Sequence, residues 1–572
     1  MKSSALHLLR TASLVVLLAA SSAPANVAAT EVLAAGPQGS QAAATAPAES
    51  SVTLRSIVTA GRLPDLRWPD FSDYRALVAN FYESAGYVPI WLTNNEPTQQ
   101  AQTVIDVLKQ ADRKGLNAED YDGSRWADRL ARLHQSPSPA DQARFDAALT
   151  VCAMRYISDL RIGRVNPRHF KFNLDVSAKK YDLPVFLRDK IVNSADIRAE
   201  LNEVEPPFGG YKRTLQALQQ YEDLSQRDNG EQLPVPAKPV EPGTAYAGVP
   251  RLTQLLLLLG DLPAGTAPEN SSVYAGPLVD AVKHFQERHG MTPDGRLGAQ
   301  TVKQLNVPLT FRVEQLRLTL ECWRWVPNQF VQPPIVVNIP EFRLRTYNQD
   351  GTIALMMNVI VGKAYRHETP VFERGMKYVV FRPYWNVPPS IQRSEIVPAI
   401  RKNRDYIANK NYEVFNSQGS VVTSGTISDD VLQQLSAGKL QVRQKPGPTN
   451  ALGLVKLIFP NEYNVYLHST PSQQLFSQSR RDFSHGCIRV EKPAELSAWV
   501  LRDKPEWSLE RVRSAMQTGN DNQQVNLTTP VPVLILYGTA VVTEQNEAHF
   551  FDDLYGYDAS LKKVLAKGYP YP

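Results

Sequence analysis

Seven consecutive residues, Ser484-His485-Gly486-Cys487-Ile488-Arg489-Val490, carry the side-chain types that nucleophilic acyl transfer needs. A thiol becomes a strong nucleophile when a nearby imidazole takes its proton and holds the thiolate as an ion pair. Without such a base only about 3% of a thiol is ionised at pH 7. The candidate base is His468, 19 positions upstream (487 − 468), at the end of the apolar run Val465-Tyr466-Leu467. Gly486 permits a tight turn and leaves room for a substrate carbonyl to approach. The N–H groups of Gly486 and Cys487 are then candidate oxyanion donors, each worth about 2.7–4 kcal/mol of transition-state stabilisation.

A strand pattern must hold these residues in place. From Pro334 onward, Ile335-Val336-Val337-Asn338-Ile339 and the alternating 342–347 predict strands, with Asn348-Gln349-Asp350-Gly351 as a hairpin turn. The stretches 353–361, 377–381, 454–459, 465–467 and 531–537 continue the pattern. The expectation is a β-sandwich over 330–545 with the nucleophile on a loop at its edge. Between Trp385 and Pro446 the strand pattern stops. Residues 391–400 and 430–435 predict helices, and 403–416 is polar and irregular around tyrosines. An interruption of this length, about 386–446, is expected to be a lid or binding lobe rather than a solvated excursion.

The N-terminal half reads differently. Residues 56–231 show helical periodicity, with Val104, Val107, Leu108 and Ala111 on one face. No catalytic grouping is visible there. Residues 232–249, with prolines at 234, 236, 239 and 242, predict a linker. Residues 250–310 predict three short helices separated by turn-rich sequence. His284 and His289 fall at expected surface positions, and His367 and His549 have no partner visible in sequence. Residues 546–572 predict a helical tail.

The 572 residues exceed one ordinary core, so a multidomain α+β chain is expected. A net charge of +5 without a basic patch interleaved with aromatics argues against nucleic acid as a partner. Residues 1–25 predict a secretory signal: Lys2 and Arg10 precede the short apolar run 14–20, and Ala23-Pro24-Ala25 offers a cleavage site. Once it is removed, no stable membrane span is expected. Residues 26–55 predict a disordered leader. Of three cysteines, Cys152 and Cys322 lie in apolar surroundings, and Cys487 alone has reactive neighbours. No spacing predicts a metal site or a cofactor.

His468-Ser469 followed by Ser484-His485-Gly486-Cys487-Ile488-Arg489, with 15 residues between His468 and Ser484 (484 − 468 − 1), resembles the L,D-transpeptidase signature. The flanks 444–453, 459–461 and 480–483 resemble the large periplasmic members. These carry a helical scaffold domain, a peptidoglycan-binding module and a capping insertion. The 250–310 unit is similar to that three-helix module through 281–286, Gly290, Asp294-Gly295, Gly298, Thr301 and Leu305-Asn306. The resemblance implies that Cys487 is the nucleophile and His468 the base, with the Ser469 carbonyl orienting the ring. It implies a part for His485 in shaping the loop or in proton transfer, and for Arg489 in holding a carboxylate. Ser484, Tyr466 and Trp385 join as further site candidates. It also implies a periplasmic enzyme, or one held at the inner membrane by an uncleaved signal. Its partners would be peptidoglycan stem peptides and glycan strands, with other cell-wall synthases beside them, and its inhibitors carbapenems. The chemistry would be 3–3 cross-linking. The same acyl-enzyme serves an L,D-carboxypeptidase or a protein-to-peptidoglycan ligase, and a non-catalytic wall-binding scaffold is the reading from another class.

Overall fold

The computed structural model describes residues 48–135, 138–266 and 272–572. The expected signal segment and most of the leader lie outside the described residues. The N-terminal domain packs α1 (Glu49–Ala60), α2 (Gln99–Lys109) and the long α3 (Pro139–Ile162) around one core. Helix α1 begins inside the stretch expected to be leader, because Leu54 and Val58 bury completely or nearly so in that core. Each such side chain contributes about 1.5–3 kcal/mol by leaving water. Helix α4 (Gly209–Arg227) follows.

The proline-rich segment after α4 is not a free tether. Leu233 and Val240 sit in the core of the next unit, and the Leu233 N–H donates to Asn306 Oδ1 at 2.7 Å. That unit is the expected three-helix module: α5 (Val249–Leu259), α6 (Pro277–Arg288) and α7 (Ala299–Leu305) close around Leu252, Leu278, Val282 and Leu297. Helix α8 (Leu309–Trp325) then leads into the C-terminal domain, its Leu316 and Leu320 packed against Tyr211 and Leu218 of α4.

The C-terminal domain is a nine-stranded mixed sheet folded on itself. It uses β1 (Ile335–Asn338), β2 (Arg343–Tyr347), β3 (Ile353–Gly362) and β4 (Phe372–Phe381). An insertion follows, made of β5 (Trp385–Asn386), β6 (Tyr412–Phe415), β7 (Val421–Thr423), α9 (Asp429–Ser436) and β8 (Gln441–Gln444). The main sheet resumes with β9 (Val455–Ile458), β10 (Leu467–His468), β11 (Asp482–Ser484) and β12 (Ile488–Val490). It ends with β13 (Gln523–Leu536). The strand order is β11-β3-β12-β10-β9-β4-β13-β1-β2, and β2 also pairs with β3, which closes the sheet upon itself.

Two expectations change here. The insertion is not strandless: β7-β6-β8-β5 form a second antiparallel sheet. These strands are two to four residues long, too short to give a period in sequence. The tail beyond 545 is helical only over α10 (Tyr557–Leu565). Before that helix Ala540–Val542 and Ala548–Phe550 pair as a hairpin.

Candidate functional site

Strands β10 and β12 run parallel, with Leu467 opposite Ile488 and His468 opposite Arg489. The Ile488 N–H donates to the Tyr466 carbonyl at 3.1 Å, so the register extends back to put Tyr466 beside Cys487. Leu467 and Ile488 are fully buried in the core. Side chains alternate along a strand. The opposite face therefore carries Tyr466, His468, Cys487 and Arg489 together. Across β9, Lys456 stands opposite His468. A row of three basic side chains, Lys456, His468 and Arg489, thus crosses this face. Sequence reasoning missed Lys456. Its position inside the β9 run was readable, but its facing His468 depends on a strand pairing that no local pattern encodes.

His468 is 4% exposed. Its Nδ1–H donates to the Ser469 carbonyl at 2.6 Å, which leaves Nε2 to accept a proton. Burial, then the positive charges of Arg489 and Lys456, hold its pKa down to about 3, against the pull of the Ser469 and Leu452 carbonyls. Ser469 is itself fixed. Its hydroxyl donates to the Leu452 carbonyl at 3.2 Å and accepts from the Leu454 N–H at 2.7 Å. Gly453 makes this possible: its φ of +63° lies in the left-handed region, and a Cβ there would collide with Ser469 Oγ.

The thiol of Cys487 is half-buried. Among the described residues it makes no hydrogen bond to His468; its Sγ donates to the Asn464 carbonyl at 3.6 Å. Burial pushes the thiol up, more than the Tyr466 N–H and hydroxyl and the Arg489 charge pull it down. Both shifts favour the neutral thiol and the neutral imidazole over a thiolate–imidazolium pair. The Arg489 guanidinium has no carboxylate partner among the described residues, and its buried Nε is unbonded.

The loop between β11 and β12 is braced from within. Ser484 Oγ donates to the Cys487 carbonyl at 2.6 Å and accepts the Gly486 N–H at 3.1 Å. The Gly486 N–H, expected to face an oxyanion, is thus engaged by Ser484. Gly486 has φ of +112°, which a side chain would strain. Its carbonyl accepts from Thr369 Oγ1 at 2.8 Å. Tyr555, from the tail, donates to the Gly362 carbonyl at 2.6 Å and accepts the Thr369 N–H at 3.2 Å.

His485 points elsewhere. Its Nε2 lies 2.8 Å from Glu395 Oε1 in the insertion, and its ring packs edge-on against His367, centroids 4.6 Å apart. His367 is thereby drawn into the site, against its expected isolation. Trp385 lies in β5, where the insertion leaves the main sheet, its ring 6.3 Å from that of Tyr412. In the module, His284 is part-exposed, as expected, and bridges Asp261 and Glu547, each at 2.7 Å; His289, expected at the surface, is buried and stacked on Phe285. Cys152 is buried and Cys322 half-buried, both reduced.

Residues 333–533 match the model of the L,D-transpeptidase catalytic domain. The C-terminal domain belongs to the L,D-transpeptidase family. Residues 76–218 match the scaffold domain, and residues 247–305 match the "Putative peptidoglycan binding domain". A Haemophilus influenzae (strain ATCC 51907 / DSM 11121 / KW20 / Rd) protein named "Putative L,D-transpeptidase" is 32% identical over 227 residues, 40% of this chain and 45% of that protein. The chain thus spans less than half the length of that relative. Among the described residues, no helix is long and apolar enough to cross a membrane.

Proposed function

We propose that the protein is an L,D-transpeptidase of peptidoglycan that forms 3–3 cross-links. The observation that carries this reading is the shared face of β10 and β12, where Cys487, His468, Arg489 and Tyr466 stand together at the end of a sheet of the transpeptidase family.

With the neutral thiol and the neutral imidazole favoured, proton transfer accompanies attack rather than preceding it. Cys487 Sγ adds to the carbonyl between the L- and D-centres of a tetrapeptide stem while its proton passes to His468 Nε2. Ser469 accepts the Nδ1–H and steadies the imidazolium that forms. Arg489 is the cation nearest in register and stabilises sulfur that is losing its proton. With the Gly486 N–H taken by Ser484, the Cys487 N–H is the loop's oxyanion donor. The tetrahedral centre collapses, the C–N bond breaks, and His468 returns the proton to the departing D-alanine amine. An acceptor amine then attacks the thioester and gives its proton to His468 as the C–S bond breaks, and the sulfur regains that proton. Arg489, lacking an acidic partner, binds a stem carboxylate in the meantime. The module at 247–305 supports glycan strands as a binding partner, and other wall synthases fit beside it. The substrate lies outside the cytoplasmic membrane, so this reading entails export to the periplasm.

Incubation with a defined tetrapeptide muropeptide tests the reading. The expected products are free D-alanine and a cross-linked dimer, with a thioester trapped on Cys487 by intact-protein mass spectrometry. The variant Cys487→Ala is expected to lose at least about a thousandfold in turnover while staying folded. A tripeptide product without dimer would turn the reading to an L,D-carboxypeptidase. Wild-type turnover in Cys487→Ala would reject both.

A further inference from the structure

The insertion is joined to the rest of the chain in a lopsided way. Its two ends are tied down where they leave the main sheet. The Ala451 N–H donates to Gln444 Oε1 at 2.8 Å, and Asn450 Nδ2 donates to the Lys445 carbonyl at 3.0 Å and to the Pro383 carbonyl at 3.1 Å. Away from that hinge, among the described residues, a single side-chain pair crosses from the insertion to the remainder of the domain: Glu395 to His485. The crossing falls two residues from the nucleophile.

Glu395 is placed for this. It lies in a π-helical turn, Gln392–Ile396, that is anchored from beneath by Gln392. The Gln392 amide nitrogen donates to the Leu435 and Leu440 carbonyls at 3.1 and 3.0 Å, and its oxygen accepts the Val442 N–H at 3.0 Å. A residue inserted into a helical turn redirects the side chains after it, and such turns recur at functional positions. The groups facing the pair are His367 against the His485 ring, Lys363 and Glu368 near His367, and Tyr406 and Tyr412, both of which feel the Glu395 charge. No other carboxylate of the insertion contacts this cluster.

We propose that Glu395 is the latch by which the insertion closes over the nucleophile loop, and that it is a positioning residue acting through His485. The proposal rests on the transpeptidase reading for its purpose and on the hinge geometry for its existence. In the latched form, Glu395 fixes the His485 ring and seats the insertion beside Cys487. Stem entry then requires the pair to part, and the acyl-enzyme is covered when it re-forms.

The test uses the full chain and needs no substrate. The rate of Cys487 alkylation by iodoacetamide is followed by intact mass at one fixed pH. It is measured for the wild type, Glu395→Ala, His485→Ala, the double variant, and Arg404→Ala, whose ion pair with Asp429 lies wholly inside the insertion. A part-exposed pair sets the scale of the expected change. Glu395→Ala should raise the rate about two- to fivefold, and adding it to His485→Ala should change nothing further. Hydrogen exchange should rise in 386–446 and not in the main sheet. Arg404→Ala should match the wild type. An unchanged or lower rate in Glu395→Ala, an additive double variant, or the same rise in Arg404→Ala would each overturn the latch. A wild type that turns over no muropeptide yet shows these alkylation effects would sink the proposed activity and leave the latch standing.

Discussion

The insertion and the C-terminal tail are both appended to the main sheet, and they are built on opposite principles. The insertion has its own core, with Ile400, Ile407, Val414, Leu435 and Val442 buried together. It meets the catalytic loop at one side-chain pair. The tail shares other units' cores. Its hairpin packs Ala540, Val542 and Phe550 against α4 and α8, and Leu561 and Val564 of α10 join the main sheet's core. Tyr555 braces the loops at Gly362 and Thr369, and Tyr571 donates to Asp120 of the N-terminal domain at 2.6 Å. The Pro572 carbonyl accepts the Asn166 N–H at 2.9 Å. A segment with its own core can move as a unit, whereas one that borrows its core from three neighbours holds them together. The loop around Cys487 is reached by both: Tyr555 holds Thr369, which donates to the Gly486 carbonyl, and Glu395 pairs with His485.

Deletion tests this contrast most severely. Replacing 387–443 with a short glycine-serine linker is expected to leave a folded sheet with cooperative thermal unfolding. Truncation after Gly538 is expected to abolish cooperative folding, because it strips buried side chains from more than one core: Ala540, Val542 and Phe550 from one, Leu561 and Val564 from another. Equal damage from the two deletions would erase the distinction.

A subtler break comes from pH. Asp558, buried in the tail beside Thr539, has a pKa pushed up to about 7 by burial and by the charges of Asp553 and Glu314. The folded tail therefore holds a proton that the unfolded chain gives up. The stability this confers is whole below the ordinary value of 3.8 and is lost as pH rises to about 7. A shift of this size corresponds to up to about 4 kcal/mol. Hydrogen-exchange protection in α10, with the intrinsic pH dependence of exchange divided out, should fall across that window in the wild type and not in Asp558→Asn, while the insertion's protection follows no such curve.

The smallest effect sharpens the comparison at one atom. Tyr555→Phe removes a hydroxyl that serves both the Gly362 carbonyl and the Thr369 N–H, and should cost about 1–3 kcal/mol in urea unfolding. It should also slow acylation, since Thr369 is what holds the Gly486 carbonyl. A variant equal to wild type in both stability and acylation would show that the tail does not brace the loop.

Much of this was legible in the chain itself. The Ser484–Arg489 run with His468 before it pointed to the proposed nucleophile and base, because both belong to short segments whose residue types are unusual for a structural role. The helical module was readable from Leu278, Val282 and Phe285 at helical spacing around turn-forming glycines. The short strands of the insertion were not, since β5 and β7 are too brief to show alternation. Nor was the start of α1, where burial of Leu54 and Val58 outweighs the composition of the preceding leader.

The linear order of residues determined which atoms the proposed acyl transfer can draw on, since a thiol, an imidazole and a guanidinium keep their chemistry wherever they fall. It also settled the succession of helical domain, module and sheet, because periodicity is a local property. Only the tertiary structure decided that Lys456 lines up with His468 and Arg489, that Ser484 takes the Gly486 N–H, and that Glu395 meets His485. Those partners lie on separate segments, and their meeting is dictated by strand register and by the burial of residues such as Leu467 and Ile488, which act across the whole domain at once.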